Sequence, residues 1–207
     1  VQEEVKEPLL RKMKHYIRKM YRDEPLLNPE YPKIINEKHF NRLKKMLLEQ
    51  DGEIITGGRM DADTLKIEPT LLAGLTGRSK VMQEEIFGPV LPVFAYSDLA
   101  EVIRILQKKE KPLALYLFTR NSRVKKTVIS KVSFGGGCIN DTIIHLSNEK
   151  LPFGGAGNSG MGAYHGKHSY ETFSREKSIM EKGNWLDIPF RYPPYGKRLP
   201  LLKKLFK

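Results

Sequence analysis

Residues 114–118 read Ala-Leu-Tyr-Leu-Phe, an apolar run with the length and composition of a strand that is buried on both faces of a sheet. The segments around it alternate between strand and helix patterns. The sequence predicts strands over residues 90–96 and 138–144, a helix from Ser97 or Asp98 to about residue 106, and another over residues 121–131. Alternation of this kind predicts an α/β fold with a doubly wound, mostly parallel sheet.

Further elements flank this alternation on both sides. The spacing of apolar residues predicts helices over residues 5–21, 37–50 and 168–174, and extended segments over residues 53–56, 65–75 and 177–182. The last of these alternates polar and apolar residues, which suits an edge strand that pairs outward, a C-terminal β arm. Four prolines after residue 188 predict an irregular tail.

The chain is basic, but its charge is unevenly placed. It has 36 Lys and Arg against 24 Asp and Glu, a net charge of +12, and the basic residues are concentrated at 11–22 and 197–207. Because they are not interleaved with aromatic residues, nucleic acid is not an expected partner. The basic and apolar tail is compatible with weak peripheral contact with an anionic membrane, and a mobile basic tail is the favoured alternative.

Cys138 is the only cysteine of the chain. No internal disulfide can form, so a reducing, cytoplasmic location is expected. Cysteine pairs at zinc-site spacing are absent, and no metal is expected. Because this thiol begins a predicted apolar strand, Cys138 is interpreted as a packed structural cysteine rather than a nucleophile.

Glycine is concentrated in residues 151–166, which read Leu-Pro-Phe-Gly-Gly-Ala-Gly-Asn-Ser-Gly-Met-Gly-Ala-Tyr-His-Gly. Such density is incompatible with an ordinary helix or strand and predicts a long, shaped loop of the kind that carries function. A flexible linker is the alternative. The apolar and aromatic residues of the segment, Phe153 and Tyr164 among them, argue against a linker.

Four segments are informative when they are taken together. They are Glu-Glu-Ile-Phe-Gly-Pro at 84–89, Lys-Pro-Leu-Ala-Leu-Tyr-Leu-Phe at 111–118, Ile-Asn-Asp-Thr at 139–142, and the glycine-rich loop at 151–166. In this order and spacing they resemble the class 3 branch of the aldehyde dehydrogenases. The resemblance continues through residues 167–175 and runs from the first helix to about Pro194.

The resemblance implies NAD(P)-dependent oxidation of an aldehyde to a carboxylic acid. In the family a cysteine thiolate attacks the aldehyde, hydride passes to NAD or NADP, and a water activated by a glutamate hydrolyses the thioester. By position, Glu85 is expected to hydrogen-bond the nicotinamide ribose, with Phe87 packed beside it. The substrate pocket is expected to include four residues of the second half: Leu146, Ser147, Phe153 and His165.

The same resemblance implies what the 207 residues lack. The nucleophilic cysteine, the base glutamate and the Rossmann half are expected upstream of Val1, so no catalytic residue is assigned in this chain and the chain alone is expected to be inactive. Residues 1–173 are assigned to a partial catalytic domain, 174–188 to an oligomerisation arm that forms a homodimer, and 189–207 to a Pro-rich basic tail.

Two other hypotheses remain open from the residues. The chain could be a complete, non-catalytic remnant of the family that oligomerises through residues 177–182 or touches a membrane or polyanion through its basic ends. A nucleic-acid binder is the third, and it predicts a steep dependence of affinity on salt.

Overall fold

The computed structural model describes residues 1–187, 189–194 and 199–205. The chain divides into two compact units. Unit one comprises Val1–Glu110 with Lys126–Ser133, and unit two comprises Lys111–Lys125 with Phe134–Lys207. These units do not test the predicted division into catalytic domain, arm and tail, which remains a prediction.

Unit one contains most of the secondary structure. Its elements are α1 (Glu3–Tyr21), α2 (Glu37–Leu48), β1 (Glu53–Thr56), β2 (Met60–Asp61), β3 (Lys66–Ile67), β4 (Thr70–Ala73), β5 (Val90–Pro92) and α3 (Leu99–Lys108). Strands β1, β4 and β5 form one sheet in that order, with β1 antiparallel and β5 parallel to β4. Strands β2 and β3 form a small antiparallel pair.

The core of unit one is built on α2. Asn36 caps this helix by accepting a hydrogen bond of 2.9 Å from the backbone N–H of His39. The helical spacing of Phe40, Leu43, Met46 and Leu47 in the sequence predicts that these four residues form its inward face, and all four are buried. The core consists of Phe40, Leu43, Met46 and Leu47 from α2 with Ile67, Leu72, Val81 and Val90.

Helix α1 is less buried than its pattern predicted. Leu10 is its only fully buried residue, whereas Tyr16 and Met20 are exposed. The helix therefore has an apolar face that the described part of the chain covers only in part.

Unit two is built around a parallel pair of strands. Strand β6 (Ala114–Leu117) pairs with β7 (Gly136–Ile139), and α4 (Ser122–Lys131) connects them. The side chain of Asn121 caps α4 by accepting from the N–H groups of Arg123 and Val124. The second half of α4 clusters with unit one. Helix α5 (Gly166–Phe173) follows the glycine-rich loop.

Two strand predictions in unit two need correction. Strand β6 is not buried on both faces, because Tyr116 is 38% exposed and Phe118 beyond its end is 65% exposed. Its only described neighbour is β7. Strand β7 ends at Ile139 instead of continuing to residue 144, because Asn140 and Ile143 take positive φ angles of 59° and 62° and turn the chain.

The predicted strand at residues 177–182 is also wrong for the described chain, in which these residues have no regular secondary structure. A strand needs a neighbouring backbone for its ladder hydrogen bonds, and none pairs with this segment in the part that the structure describes.

The tail after residue 188 was predicted to be irregular, but it contains a 3-10 turn at Pro189–Arg191 and α6 (Leu199–Leu205). Pro200 lies at the second position of α6, where a missing N–H costs nothing. Residues 195–198 and 206–207 of the predicted basic tail lie outside the described residues.

Within the ranges that the structure describes, no helix is both long and apolar enough to cross a bilayer. The α/β class is confirmed, and the residues that the structure describes form two parallel and two antiparallel strand pairs.

Candidate functional site

Glu85 and Phe87 lie on the loop at residues 83–89, between a 3-10 turn at Lys80–Met82 and strand β5. Phe87 has a φ angle of 46° and is 84% exposed. This backbone conformation is uncommon for a residue with a bulky side chain and is characteristic of functional sites. The loop therefore presents an aromatic ring to solvent, and Glu85 is also exposed.

The two adjacent glutamates of this loop differ in their contacts. The Glu84 carboxylate is 3.1 Å from the guanidinium of Arg42. The carboxylate of Glu85 makes no ion pair or side-chain hydrogen bond to any residue in the described part of the chain. The Glu85 carboxylate is therefore an exposed acceptor without a side-chain partner among the described residues, while Glu84 is paired with Arg42.

Arg42 of α2 holds the loop by its backbone as well. Its guanidinium donates to the carbonyl oxygen of Glu85 at 3.2 Å and to that of Ile86 at 2.5 Å. The next residue of α2, Leu43, lies so close to Gly88 that a Cβ there would be 2.6 Å from a Leu43 methyl group. Helix α2 thus fixes both ends of the segment that carries Phe87.

A further ion pair involves the 3-10 turn that precedes this loop. The ammonium of Lys80 is 2.6 Å from the Glu49 carboxylate just after α2. The hydrogen bond from Lys80 lowers the pKa of Glu49. The 3-10 turn before the loop is therefore linked to the residue that follows α2.

In unit two, Phe153 and Tyr164 close the glycine-rich loop at 151–166. Each N–H donates to the other residue's carbonyl oxygen at 3.0 Å, and the two rings meet edge-on at 5.4 Å. A Cβ at Gly154 would collide with the carbonyl oxygen of Gly162. The loop is therefore a shaped structure with a close backbone crossing, as the sequence predicted, and not an open linker.

His165 lies against this closure. Its ring is 4.5 Å from that of Tyr164 and 6.4 Å from that of Phe153. Nδ1 lies 3.1 Å from the carbonyl oxygen of Leu151, and the backbone N–H donates to Ser169 Oγ at 2.9 Å. The imidazole thus has a defined orientation, and it was a predicted pocket residue.

A second histidine, which the sequence did not indicate, extends the aromatic contacts. The ring of His145 lies 6.1 Å from Phe153 and 5.9 Å from Tyr116. Its Nδ1 is 3.4 Å from the sulfur of Cys138, and its Nε2 is buried without a hydrogen-bond partner among the described residues. We call Tyr116, His145, Phe153, Tyr164 and His165 the aromatic cluster.

Leu146 and Ser147, the other predicted pocket residues, follow His145 in a 3-10 turn at Ile144–Ser147. Ser147 Oγ donates to the carbonyl oxygen of Ile144 at 2.8 Å. With Cys138 and His145, Ser147 lines an open groove of about 800 Å³.

The structure thus brings Phe153 and His165 into contact and links both through His145 to the turn of Leu146 and Ser147. Glu85 and Phe87 belong to unit one. In the described ranges no three His, Cys, Asp or Glu side chains converge as a metal site.

Comparison with known proteins decides the family. The model of the aldehyde dehydrogenase family matches residues 1–179. The chain belongs to the aldehyde dehydrogenase family. The predicted resemblance is thereby confirmed.

Individual aldehyde dehydrogenases refine this placement. Mouse aldehyde dehydrogenase family 3 member A2 is 44% identical over 188 residues, which cover 90% of this chain and 38% of the relative. The rat "aldehyde dehydrogenase, dimeric NADP-preferring" is 41% identical over 198 residues, 95% of this chain and 43% of the relative. The class 3 assignment is confirmed by these relatives.

A solved aldehyde dehydrogenase has the same fold. The substrate-bound AldH of Staphylococcus aureus has a TM-score of 0.85 and 45% identity, with 100% of this chain and 45% of that chain covered. In every one of these comparisons the chain spans less than half the length of the protein that it matches.

Proposed function

We propose that this chain serves the NAD(P)-dependent oxidation of an aldehyde to a carboxylic acid, by supplying a contact to the cofactor ribose and one wall of the aldehyde pocket. The observation that carries the proposal is the difference in side-chain contacts between Glu84 and Glu85 in the loop at 83–89. Glu84 is engaged by Arg42 at 3.1 Å, while the neighbouring Glu85 is exposed beside an outward-facing Phe87.

The chemistry of Glu85 and Phe87 fits a nicotinamide ribose. A carboxylate accepts two hydrogen bonds at once, which matches the two hydroxyls of a ribose diol. An exposed aromatic ring beside it offers an apolar surface to the attached base. The bound cofactor would supply hydride acceptance, and these two residues would orient it. The rat relative is named as NADP-preferring, so NAD and NADP both remain candidates.

Phe153 and His165 would form the aldehyde side of the site, with Leu146 and Ser147 beside them. Apolar and aromatic walls with few polar groups suit an aldehyde with an apolar chain, and they also exclude water. The fixed orientation of His165 through Leu151 and Ser169 supports a role in shaping the pocket.

Cys138 is not the nucleophile in this proposal. It is 8% exposed, and an attacking thiolate has to reach the substrate. This proposal assigns neither the nucleophile nor the general base to any of the 207 residues. The chain by itself is then inactive.

The same proposal includes association with a second copy of the chain. Residues 174–188 would be an oligomerisation arm of a homodimer, as the rat relative is named dimeric. The segment exposes large apolar side chains, with Ile179 at 80%, Met180 at 94% and Trp185 at 87%, and exposed apolar clusters of this kind favour association. The same exposure supports the second candidate, a non-catalytic oligomerising protein. A cytoplasmic location and weak membrane contact of the tail remain predictions.

Two matched substitutions in the full-length protein test the proposal. Glu85→Gln is expected to raise the KM for NAD or NADP by roughly tenfold, because one charged acceptor for the ribose is lost. Glu53→Gln, at an exposed glutamate of β1 in the same unit but outside this loop, is the control and leaves that KM within about twofold. The measurement is aldehyde-dependent formation of NADH or NADPH.

Equal effects of the two variants would refute the role of Glu85. Absence of aldehyde-dependent NADH or NADPH formation by the wild-type protein would instead favour the non-catalytic oligomer.

A further inference from the structure

We propose that Arg42 is a positioning residue for the cofactor site, which holds the loop at 83–89 so that Glu85 and Phe87 face the ribose. This inference rests on the proposed role of Glu85 in cofactor binding. Arg42 touches neither the cofactor nor the substrate in this account, and it acts through the loop that it binds.

The first support is the convergence of three acceptors on one guanidinium. Arg42 donates to Glu84 Oε1 at 3.1 Å, to the carbonyl oxygen of Glu85 at 3.2 Å and to that of Ile86 at 2.5 Å. These acceptors are consecutive in the chain and lie 42 to 44 residues from Arg42. The planar guanidinium presents several donors in a fixed fork, which a lysine ammonium on its flexible stem does not reproduce.

The second support is the partial burial of the Arg42 side chain, whose hydrogen bond to the Ile86 carbonyl is partly buried. The Arg42 side chain is 25% exposed and that of Glu84 is 54% exposed, so the ion pair is partly shielded from water. Charge-assisted hydrogen bonds are stronger than neutral ones, and their advantage increases as solvent is excluded. The contacts therefore constrain the loop more than a fully exposed ion pair would.

The third support is the backbone of Phe87. A bulky residue with a φ angle of 46° persists in that conformation only where its surroundings hold it. Arg42 binds the carbonyls of the two preceding residues, and Leu43 contacts the following Gly88. Loss of the Arg42 hydrogen bonds would free the backbone on the N-terminal side of Phe87, so that Glu85 and Phe87 would sample other orientations.

The test compares Arg42→Met and Arg42→Lys with Lys45→Met in the full-length protein. Lys45 lies near the end of the same helix and lines the same surface groove as Arg42 and Glu84, so its loss controls for the removal of a positive charge. The first measurement is amide hydrogen exchange of residues 84–88 without cofactor. The second is the affinity for NAD and NADP by calorimetry, and the third is the KM for cofactor and for aldehyde.

For Arg42→Met, the exchange of residues 84–88 is expected to accelerate and the cofactor affinity to fall by roughly tenfold, the effect of losing charge-assisted hydrogen bonds. The KM for cofactor rises while kcat and the KM for aldehyde change by less than about twofold. Arg42→Lys, which keeps the charge and one donor direction, gives an intermediate result and covers the case in which the methionine variant does not fold. Lys45→Met behaves as wild type.

Wild-type exchange of residues 84–88 in both Arg42 variants would overturn the proposal. Accelerated exchange in the Arg42 variants with unchanged cofactor affinity would also overturn it, provided that Glu85→Gln weakens cofactor binding. If Glu85→Gln leaves cofactor affinity unchanged, the role of Glu85 is refuted, and with it the function of the Arg42 clamp in cofactor binding.

Discussion

The sulfur of Cys138 lies 3.4 Å from Nδ1 of His145, seven residues further along the chain. The sequence alone did not reveal this contact, and Cys–His pairs are a familiar arrangement for nucleophilic catalysis. Here the thiol is 8% exposed, and the imidazole packs against Tyr116 and Phe153. The pair is therefore interpreted as structural packing within unit two.

The first prediction is that Cys138→Ala leaves aldehyde oxidation by the full-length protein within about threefold of wild type, because the residue does not reach the substrate. Removal of a small buried side chain is expected to lower the free energy of unfolding by about 1 kcal/mol. Activity and urea denaturation measure the two effects separately. A loss of activity by several orders of magnitude in a folded variant would identify Cys138 as the nucleophile instead.

Gly88 supplies the second prediction, on the loop of Glu85 and Phe87. A Cβ at this position would lie 2.6 and 2.8 Å from the two methyl groups of Leu43. Gly88→Ala is therefore expected to lower the free energy of unfolding by about 1–3 kcal/mol, as overpacking of a core does. It is also expected to weaken cofactor binding, since the loop has to move away from α2.

Gly77→Ala is the matched control for this substitution. It precedes the same loop in unit one, and no atom lies within 4 Å of the position that its Cβ would occupy. The alanine is expected to change stability by less than about 0.5 kcal/mol. Similar destabilisation by both variants would show that the effect comes from the glycine backbone and not from contact with Leu43.

The sequence correctly predicted those parts of the structure that depend on local residue pattern. The helical spacing of Phe40 and Leu43 identified the core face of α2, and the density of glycine identified the loop at 151–166. Contacts that depend on chain reversals were missed. His145 reaches Cys138 only because the chain turns at positive φ angles after β7, and Arg42 reaches Glu85 across 43 residues.

The predicted strands show a second limit of sequence pattern, which does not determine how many neighbouring strands pair with each one. An apolar run predicts burial, but the number of neighbouring strands determines how much of it is covered. In the described chain β6 has one neighbour, and Phe118 remains 65% exposed. Residues 177–182 have a strand pattern but no pairing partner in the described part of the chain, and pattern alone does not supply one.

Arg59 and the buried Glu68 provide the third prediction. Glu68 is 5% exposed, and its carboxylate accepts from Arg59 at 2.7 and 2.9 Å. Hydrogen bonds to Glu68 and Glu24 raise the pKa of Arg59. Arg59→Met leaves the Glu68 carboxylate buried with less compensation, so we expect a lower urea midpoint than wild type, with a smaller effect than for a fully buried pair because Arg59 itself is half-exposed.

The exposed pair of Arg18 and Asp23 is the control for this substitution. Their side chains are 68% and 83% exposed and lie 3.3 Å apart. Arg18→Met is expected to cost less than about 0.5 kcal/mol, since a solvated ion pair contributes little. Equal urea midpoints for the two variants would contradict the importance of burial at Glu68.

Tyr31 gives the alkaline pH dependence of stability. Its hydroxyl donates a hydrogen bond of 2.6 Å to the carbonyl oxygen of Ile67, and the side chain is buried. Burial raises the pKa of Tyr31 above its usual value of 10.0, and the nearby Tyr21 and Glu68 act in the same direction. The folded state therefore favours the neutral phenol, while the unfolded chain ionises from about pH 10 upward.

The last prediction follows from the sign of this shift. A raised pKa stabilises the folded protein below about pH 10 and loses that contribution as the pH rises further. Tyr31→Phe is expected to lower the free energy of unfolding by about 1–2 kcal/mol at pH 7, because the Ile67 carbonyl loses its donor. Urea midpoints above pH 10 should then fall less steeply for this variant than for wild type. Tyr170→Phe, at a side chain 73% exposed, keeps the wild-type slope, and parallel slopes for all three proteins would show that Tyr31 ionises freely in the folded state.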